Sequence, residues 1–230
     1  PVESIETFAG GRHTGIYFRD PDNNRLEFYH EEPSWVIESR GLTARAFSGL
    51  TRAADDPVID LYLWPTSNGL KVSIMLELTG LSWRVHPVPL GPGKERPEGF
   101  TDASVTGRIP AITDNDTGVQ ICESGAILVY LAEKTNSPLL PLTGAARARV
   151  MQWLFAVSST FNPAMTEGRF YLDQNPGKAP LAEERVRGQV ARAYRTVEAA
   201  LSQTAHLAGD DPSIADVALF PYVARHDTHG

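Results

Sequence analysis

Cysteine is almost absent from this chain, since Cys122 is the only one among 230 residues. A lone thiol forms neither an internal disulfide nor a CxxC redox pair, which is typical of proteins from a reducing compartment. We therefore expect a cytoplasmic location. Cys122 lies on a short apolar segment, and free cysteine is among the most buried residue types, so we interpret it as structural.

Clusters of Lys and Arg and long apolar runs are also missing, and the formal net charge is −7. Without a basic patch, neither nucleic acid nor a membrane surface is an expected partner. No apolar stretch approaches the ~20 residues of a membrane span, and the N-terminal residues lack the pattern of a signal peptide. The chain begins with Pro1 rather than Met, so we expect an upstream portion to be missing.

The 42% of apolar residues suffices for the cores of two small globular domains. The first organised segment is residues 13–30, where HTGIYF and RLEFYH flank the polar insert RDPDNN. Pro21 favours a turn, and Asn23 and Asn24 tolerate the left-handed backbone that tight hairpins need. The pattern predicts a β-hairpin.

The string YFRDPDNNRLEFY resembles the closing hairpin of the vicinal oxygen chelate family, which includes glyoxalases and extradiol dioxygenases, although Asn23 stands where that family usually has Gly. The resemblance implies a metal-ligating role for Glu27. Transition-metal sites need three or more protein ligands, so we expect no metal site in this chain and interpret His13 and His30 as ordinary strand-end residues. Residues 1–38 are read as a fragment of that family and 39–57 as a linker.

Regular alternation begins at Val58 and predicts the order βαβ, α, ββ, α over residues 58–136. VIDLYLW, WRVHPV, IPAITD and VQICE are the strands. The helix after Asn68 is stopped by Gly80, and SGAILVYLAEKT forms the last helix. A mixed sheet with this element order is a thioredoxin-like α/β fold.

The turn that joins the first of these strands to its helix carries Thr66, Ser67 and Asn68. Free backbone N–H groups and the positive end of the helix dipole converge there, which favours an anion and lowers the pKa of a thiol held nearby. The alternative is a simple N-cap, for which these residue types are the usual choice.

Two further segments carry candidate binding groups. Ile109 and Pro110 open a strand, where Pro is tolerated; in the thioredoxin superfamily this Pro is cis and exposes the preceding backbone to an extended peptide ligand. Glu123 and Ser124 begin the last helix of the domain, where a hydroxyl and N–H groups suit a carboxylate and Glu123 suits an ammonium. Strand punctuation and helix capping are the alternatives.

After a linker at residues 137–143 the sequence turns helical, over 144–230. Pro163 should end or kink the first long helix. The second has an apolar stripe at intervals of three and four: Val186, Val190, Tyr194, Val197 and Leu201. Ser213 and Asp216 form a capping box in GDDPSIADVALFP, which we assign to folding rather than chemistry.

The strings IDLYLWPTSNGLKVSIMLELTGL, GRIPAITD and ESGAILVYLAEKT together resemble bacterial glutathione transferases, most closely the nu class, whose first turn reads PTxNGxK. The resemblance implies a thioredoxin-like domain followed by an all-helical domain, here expected to be truncated. It also implies glutathione contacts for a set of residues: Thr66 and Asn68 to the sulfur, Ile109 to the cysteinyl part, Glu123 and Ser124 to the γ-glutamyl part, and Arg108 to the glycyl end.

Glu95 is a departure, because the class has Gln there and a carboxylate weakens binding of an anionic tripeptide. Tyr62 is interpreted as core, one position too early for the catalytic Tyr of animal classes. The expected function is binding of glutathione as cosubstrate and activation of its thiolate, for attack on a small electrophile or a disulfide, in a homodimer. The alternatives are a non-catalytic glutathione-fold protein, or part of a fusion with a metal-dependent glyoxalase or dioxygenase.

Overall fold

The computed structural model describes the backbone of three N-terminal strands and residues 57–229 in full. The chain divides into two compact units, residues 1–49 and 50–230. The first contains β1 (Val2–Phe8), β2 (His13–Arg19) and β3 (Arg25–Glu31), paired antiparallel in that order. The strands of the predicted hairpin are confirmed as β2 and β3. Strand β1 was not predicted from the sequence.

In β2 and β3, Tyr17 pairs with Glu27 and Thr14 with His30. The side chains of Glu27, His13 and His30, the turn at residues 20–24 and the linker up to residue 56 lie outside the described residues. The metal-ligand reading of Glu27 therefore stays untested.

The second unit begins with a four-stranded mixed sheet in the order β5-β4-β6-β7. Its strands are β4 (Ile59–Leu63), β5 (Trp83–Pro87), β6 (Ala111–Asp114) and β7 (Gln120–Cys122). β5 runs parallel to β4, whereas β6 is antiparallel to both β4 and β7.

Three helices accompany the sheet: α1 (Ser67–Thr79), α2 (Phe100–Ala103) and α3 (Ser124–Lys134). α1 ends at Gly80, whose φ of 68° is left-handed, the conformation that glycine adopts at helix C-termini. Val72, Met75 and Leu76 of α1 are fully buried, as their spacing requires for a helix packed on a sheet. The predicted thioredoxin-like order is confirmed, including the buried positions of Tyr62 and Cys122.

An all-helical region follows: α4 (Gly144–Ala156), α5 (Asn162–Gly168), α6 (Pro180–Leu201) and α7 (Ile214–Val223). Pro163 does not end the helical path, which continues from α4 through a π-helical turn into α5. A π-helical turn at Val157–Phe161 widens the backbone just before Pro163, and this wider turn accommodates the proline within the helical path.

The stripe predicted on α6 is partly wrong. Val186, Val190 and Val197 are buried, but Ala193 completes the buried face, and Leu201 at the end of the helix is 43% exposed. The capping box of α7 is confirmed. Within the described part of the chain, no helix combines the length and the apolar character needed to cross a membrane.

Candidate functional site

A cavity of ≈ 380 Å³ opens where the N-terminus of α1 faces the helical region. The α1 turn and the loop before β6 form one wall of it. The opposite wall comes from α5, α7 and the residues after each of these helices. Among the residues that line it are Thr66, Ser67, Asn68, Arg96, Arg108, Ile109, Arg169, Tyr222, Arg225 and His229.

Thr66 begins α1. Its backbone is extended, with φ −118°, and its Oγ1 accepts a hydrogen bond of 3.2 Å from the backbone N–H of Gly69. The hydroxyl proton stays available for a ligand. A Cβ on Gly69 would lie 2.6 Å from the carbonyl oxygen of Trp64, so only glycine lets the turn pass this close to the end of β4.

The backbone N–H groups of Ser67 and Asn68 form no hydrogen bond with any described residue. They belong to the first turn of α1, where N–H groups have no partner within the helix. These donors and the Thr66 hydroxyl lie together at the positive end of the helix dipole. The turn is therefore suited to an anion.

The side chain of Asn68 is held by three donors on its Oδ1. Lys71 Nζ and Tyr222 Oη each lie 2.9 Å from that oxygen, and Ser124 Oγ lies 3.4 Å from it. An ammonium group donates only, so the atom facing Lys71 must be the amide oxygen rather than the nitrogen. No hydrogen bond to a described residue uses the Nδ2 group of Asn68, which remains a donor for a ligand.

Lys71 is 1% exposed. Burial lowers the pKa of its ammonium from 10.5 to about 8, against the opposing attraction of Glu123. Its Nζ lies 4.7 Å from the centroid of the Tyr222 ring, within cation–π range. Two partners therefore surround the charge: the amide oxygen of Asn68 and the face of Tyr222.

Helix α7 reaches the α1 turn at two points. Ser67 Oγ donates to the carbonyl of Pro221 at 3.2 Å, and Tyr222 Oη donates to Asn68. Burial raises the pKa of the Tyr222 hydroxyl far above its ordinary value, so this group stays protonated and donates. Tyr222 comes directly after the GDDPSIADVALFP string and lines the cavity, so the end of α7 contributes to the site while its start caps the helix.

The bond between Ile109 and Pro110 is cis. Pro110 is buried, whereas Ile109 is half-buried, lines the cavity and packs on a cluster that includes Tyr62 and Phe100. Neither the N–H nor the C=O of Ile109 bonds to another described residue. The carbonyl of the preceding Arg108 accepts from Ser104 Oγ at 2.7 Å, which fixes the loop.

Glu123 precedes α3 with φ 72°, an uncommon value for a residue other than glycine. It is exposed, and it does not line the cavity; nor do Ser124 and Pro110. Ser124 joins the site through its bond to Asn68. The backbone N–H of Ser124 has no partner among the described residues, as expected at a helix start.

The cavity is strongly basic. Arg96, Arg108, Arg169 and Arg225 all line it. Burial and the neighbouring Arg169 lower the pKa of the Arg225 guanidinium, and burial lowers that of His229 to about 4, so His229 is neutral at pH 7. Four guanidinium groups make this a site for a ligand with carboxylates.

Sequence reasoning missed Lys71, Tyr222 and three of these arginines. Lys71 stands within the PTxNGxK pattern, a signal that was available but unused. Arg169, Tyr222 and Arg225 lie more than 100 positions from the turn, and nothing in their local sequence indicates the approach. Glu95 is exposed and does not line the cavity, whereas its neighbour Arg96 does.

The glutathione S-transferase N-terminal domain model matches residues 67–134, and the C-terminal domain model matches residues 180–228. The disulfide-bond oxidoreductase YfcG of Escherichia coli is 39% identical over 172 residues, covering 72% of this chain and 79% of YfcG. The disulfide-bond oxidoreductase YghU of the same organism is 33% identical over 192 residues, covering 77% of this chain and 66% of YghU.

Two solved structures show the same architecture at 31% identity. A glutathione transferase family member from Pseudomonas fluorescens with two glutathione bound has a TM-score of 0.67, covering 79% of this chain and 81% of that one. A glutathione transferase from Pseudomonas putida with one glutathione disulfide bound per subunit has a TM-score of 0.65, covering 79% of both. With both domain models matched in order, this chain belongs to the glutathione S-transferase family.

Proposed function

We propose that this protein binds glutathione in the basic cavity, stabilises its thiolate, and uses it to reduce disulfides. One observation carries the proposal: the α1 turn and Ile109, whose backbone groups have no hydrogen-bond partner among the described residues, line a single cavity. The first group suits a sulfur anion, and the second suits the main chain of an extended tripeptide.

In this proposal the sulfur lies against Thr66 and Asn68, with the backbone N–H of Ser67 nearby. Ile109 pairs with the cysteinyl residue, and Arg108 attracts the glycyl carboxylate. Glu123 and Ser124 at the start of α3 hold the γ-glutamyl residue of glutathione. Glu123 pairs with the α-ammonium group of that residue, and Ser124 binds its α-carboxylate. Pro110 sets the direction of Ile109. Relatives with glutathione or its disulfide bound support this assignment.

The chemistry requires no cysteine of the protein. The bound thiolate attacks one sulfur of a disulfide, a new S–S bond forms to glutathione, and the other sulfur leaves as a thiolate that takes a proton from solvent. A second glutathione thiolate then attacks the mixed disulfide, which gives glutathione disulfide and the second reduced thiol. Arg169 and Arg225 on the opposite wall suit the carboxylates of that second glutathione.

The test compares retention on immobilised glutathione with turnover of hydroxyethyl disulfide and of a chloronitroaromatic acceptor. Retention with disulfide turnover is expected. Turnover of the chloronitroaromatic alone would indicate an electrophile transferase. Retention without any turnover would indicate a binding module and would contradict the enzymatic proposal.

Three further assignments belong to this proposal. The single cysteine favours a reducing compartment such as the cytoplasm. A homodimer is expected and is checked by light scattering.

The fusion alternative, with its glyoxalase-like or dioxygenase-like hairpin, predicts tight binding of Mn²⁺, Zn²⁺ or Ni²⁺. We expect calorimetry to show no such binding. Within the described residues, no group of side chains that could hold a metal ion occurs.

A further inference from the structure

The amide oxygen of Asn68 accepts hydrogen bonds from three different helices. It accepts from Lys71 Nζ and Tyr222 Oη at 2.9 Å each and from Ser124 Oγ at 3.4 Å. The three donors come from α1, α7 and α3. Supporting hydrogen bonds of this kind hold a side chain at a binding site in one geometry.

The chemistry of these donors fixes which end of the amide faces the cavity. An amide carries an acceptor oxygen at one end and a donor NH₂ at the other, and rotation by half a turn exchanges them. With the oxygen facing a buried ammonium and a protonated phenol, rotation would place the NH₂ group against two donors. In that arrangement the Lys71 ammonium and the Tyr222 hydroxyl would each lose an acceptor, and leaving buried donors without partners is unfavourable. The NH₂ end is thereby directed away from the three donors.

Charge strengthens this arrangement. Lys71 is almost fully buried, and its ammonium lies between the Asn68 oxygen and the ring of Tyr222. A cation on the amide oxygen polarises the amide, so that its N–H groups become better donors. Glu123 is the acidic group that acts on Lys71, and it is exposed to solvent.

We propose that Lys71 and Tyr222 are positioning residues that fix the Asn68 amide with its NH₂ group toward the glutathione sulfur. The proposal rests on the function proposed above and extends it to two residues that do not themselves touch the reacting sulfur. Tyr222 makes this an interdomain device, because a hydroxyl of the helical region sets the orientation of a side chain in the thioredoxin-like domain. A freely rotating amide would present its oxygen to the thiolate part of the time and repel it.

The decisive variant is Tyr222→Phe, which removes the hydroxyl and keeps the ring beneath Lys71. We expect the pKa of the bound glutathione thiol, read from thiolate absorbance against pH, to rise by about half a unit or more, and kcat below that pKa to fall about threefold or more, while KM for glutathione changes less than twofold. Lys71→Met removes the charge at similar length and should shift the thiol pKa further in the same direction.

The matched control is Tyr130→Phe. Tyr130 is another partly buried tyrosine of this unit, and its hydroxyl contacts Asp114 and Thr117 rather than Asn68. This variant should lose some stability while the thiol pKa stays at the wild-type value. Equal pKa shifts in Tyr130→Phe and Tyr222→Phe would mean that only general loosening is measured, and would overturn the proposal.

A second readout needs no glutathione. In protein labelled with ¹⁵N at asparagine, the Asn68 NH₂ signals should be sharp and distinct in the wild type, and should broaden or average in Tyr222→Phe and Lys71→Met. Unchanged amide signals in both variants would overturn the positioning roles even if glutathione turnover falls. Fixed amide signals in a wild-type protein that binds no glutathione would overturn the proposed function and, with it, the purpose assigned to the clamp.

Discussion

Helices α1 and α7 begin in the same way and serve different ends. Each starts from a hydroxyl residue with extended backbone, Thr66 at φ −118° and Ser213 at φ −142°. Each hydroxyl accepts from a backbone N–H of the first turn. The two helix starts differ in whether polar groups remain available to bind a ligand once the cap has formed.

At α7 nothing is left for a ligand. Asp216 Oδ2 accepts from the N–H and the hydroxyl of Ser213, at 2.8 and 2.7 Å, and its Oδ1 accepts from the N–H of Leu207 at 2.9 Å. Ser213 is 2% exposed. This helix start is closed on itself and buried, so its hydrogen bonds contribute to folding.

At α1 the cap is open. Thr66 satisfies Gly69, but the N–H groups of Ser67 and Asn68 face a cavity, and the Asn68 side chain is turned away from capping toward Lys71 and Tyr222. No acidic residue occupies the first turn of α1. The comparison teaches that the same capping chemistry becomes a binding site when a helix start lacks its own anion and borders a cavity.

The largest expected effect is a loss of stability when the capping box at the start of α7 is removed. Asp216→Ala leaves the N–H groups of Ser213 and Leu207 without a partner, and we expect the free energy of unfolding to fall by about 3 kcal/mol. Urea denaturation measures this change. At a temperature where the variant is folded, the pKa of bound glutathione should equal that of the wild type. A shifted thiol pKa would mean that the two helix starts are not separate in function.

Asn68→Ala tests the open start. Loss of a donor to the developing anion should lower kcat for disulfide reduction about 100-fold, in the range found for single oxyanion donors. Retention on immobilised glutathione should fall much less, because Ile109 and Arg108 are unchanged. Comparable losses of rate and of retention would contradict a role for Asn68 at the sulfur.

Lys71→Met should separate stability from activity. The folded-state pKa of Lys71 is about 8, below the unfolded value of 10.5, so the cost of burying its charge is full below pH 8 and falls as pH rises toward 10.5. We expect the variant to be more stable than the wild type at pH 7, by on the order of 2 kcal/mol. Thermal unfolding at pH 7 and pH 10 checks this.

The advantage of Lys71→Met should shrink between those two pH values, because the wild-type lysine is neutral in the folded state at the higher one. A variant that is less stable than the wild type at pH 7 would show that the bonds to Asn68 and Tyr222 outweigh the cost of burial. The slower turnover expected of this variant could then be explained by its lower stability instead of by a misoriented Asn68 amide.

The smallest effect comes from paired cap deletions. Thr66→Ala and Ser213→Ala should each lower the free energy of unfolding by about 1 kcal/mol, the usual worth of a hydroxyl cap. Only Thr66→Ala should also raise the pKa of bound glutathione. If Ser213→Ala raised it as much, the hydroxyl of Thr66 would have no special place beside the sulfur.

Sequence reasoning recovered most of the fold because the signals are local. Gly80 ends α1, and Ser213 and Asp216 begin α7, each within a few positions of the element that it bounds. The widened turn before Pro163 was not foreseen, since proline predicts a break but not how neighbouring helices accommodate it. Leu201 fits the period of α6, yet it is the last residue of the helix and remains 43% exposed.

Only the part of the site formed by neighbouring residues could be predicted from the sequence. Thr66 and Asn68 share one turn, and their placement follows from the helix start itself. Tyr222 lies 154 positions from Asn68, and no periodicity reports where α7 packs. The roles of individual residues toward glutathione rest on resemblance and remain predictions.

The hydrogen bonds of Ser67 and Asn68 to α7 tie the α1 turn to residues that are translated 154 positions later. A ribosome-bound chain that has released the whole sheet carries every residue of the α1 turn, yet its Asn68 has no phenol to face until residue 222 emerges from the exit tunnel. The hydrogen bond that orients the Asn68 amide would thus form only after the helical region has docked on the sheet domain.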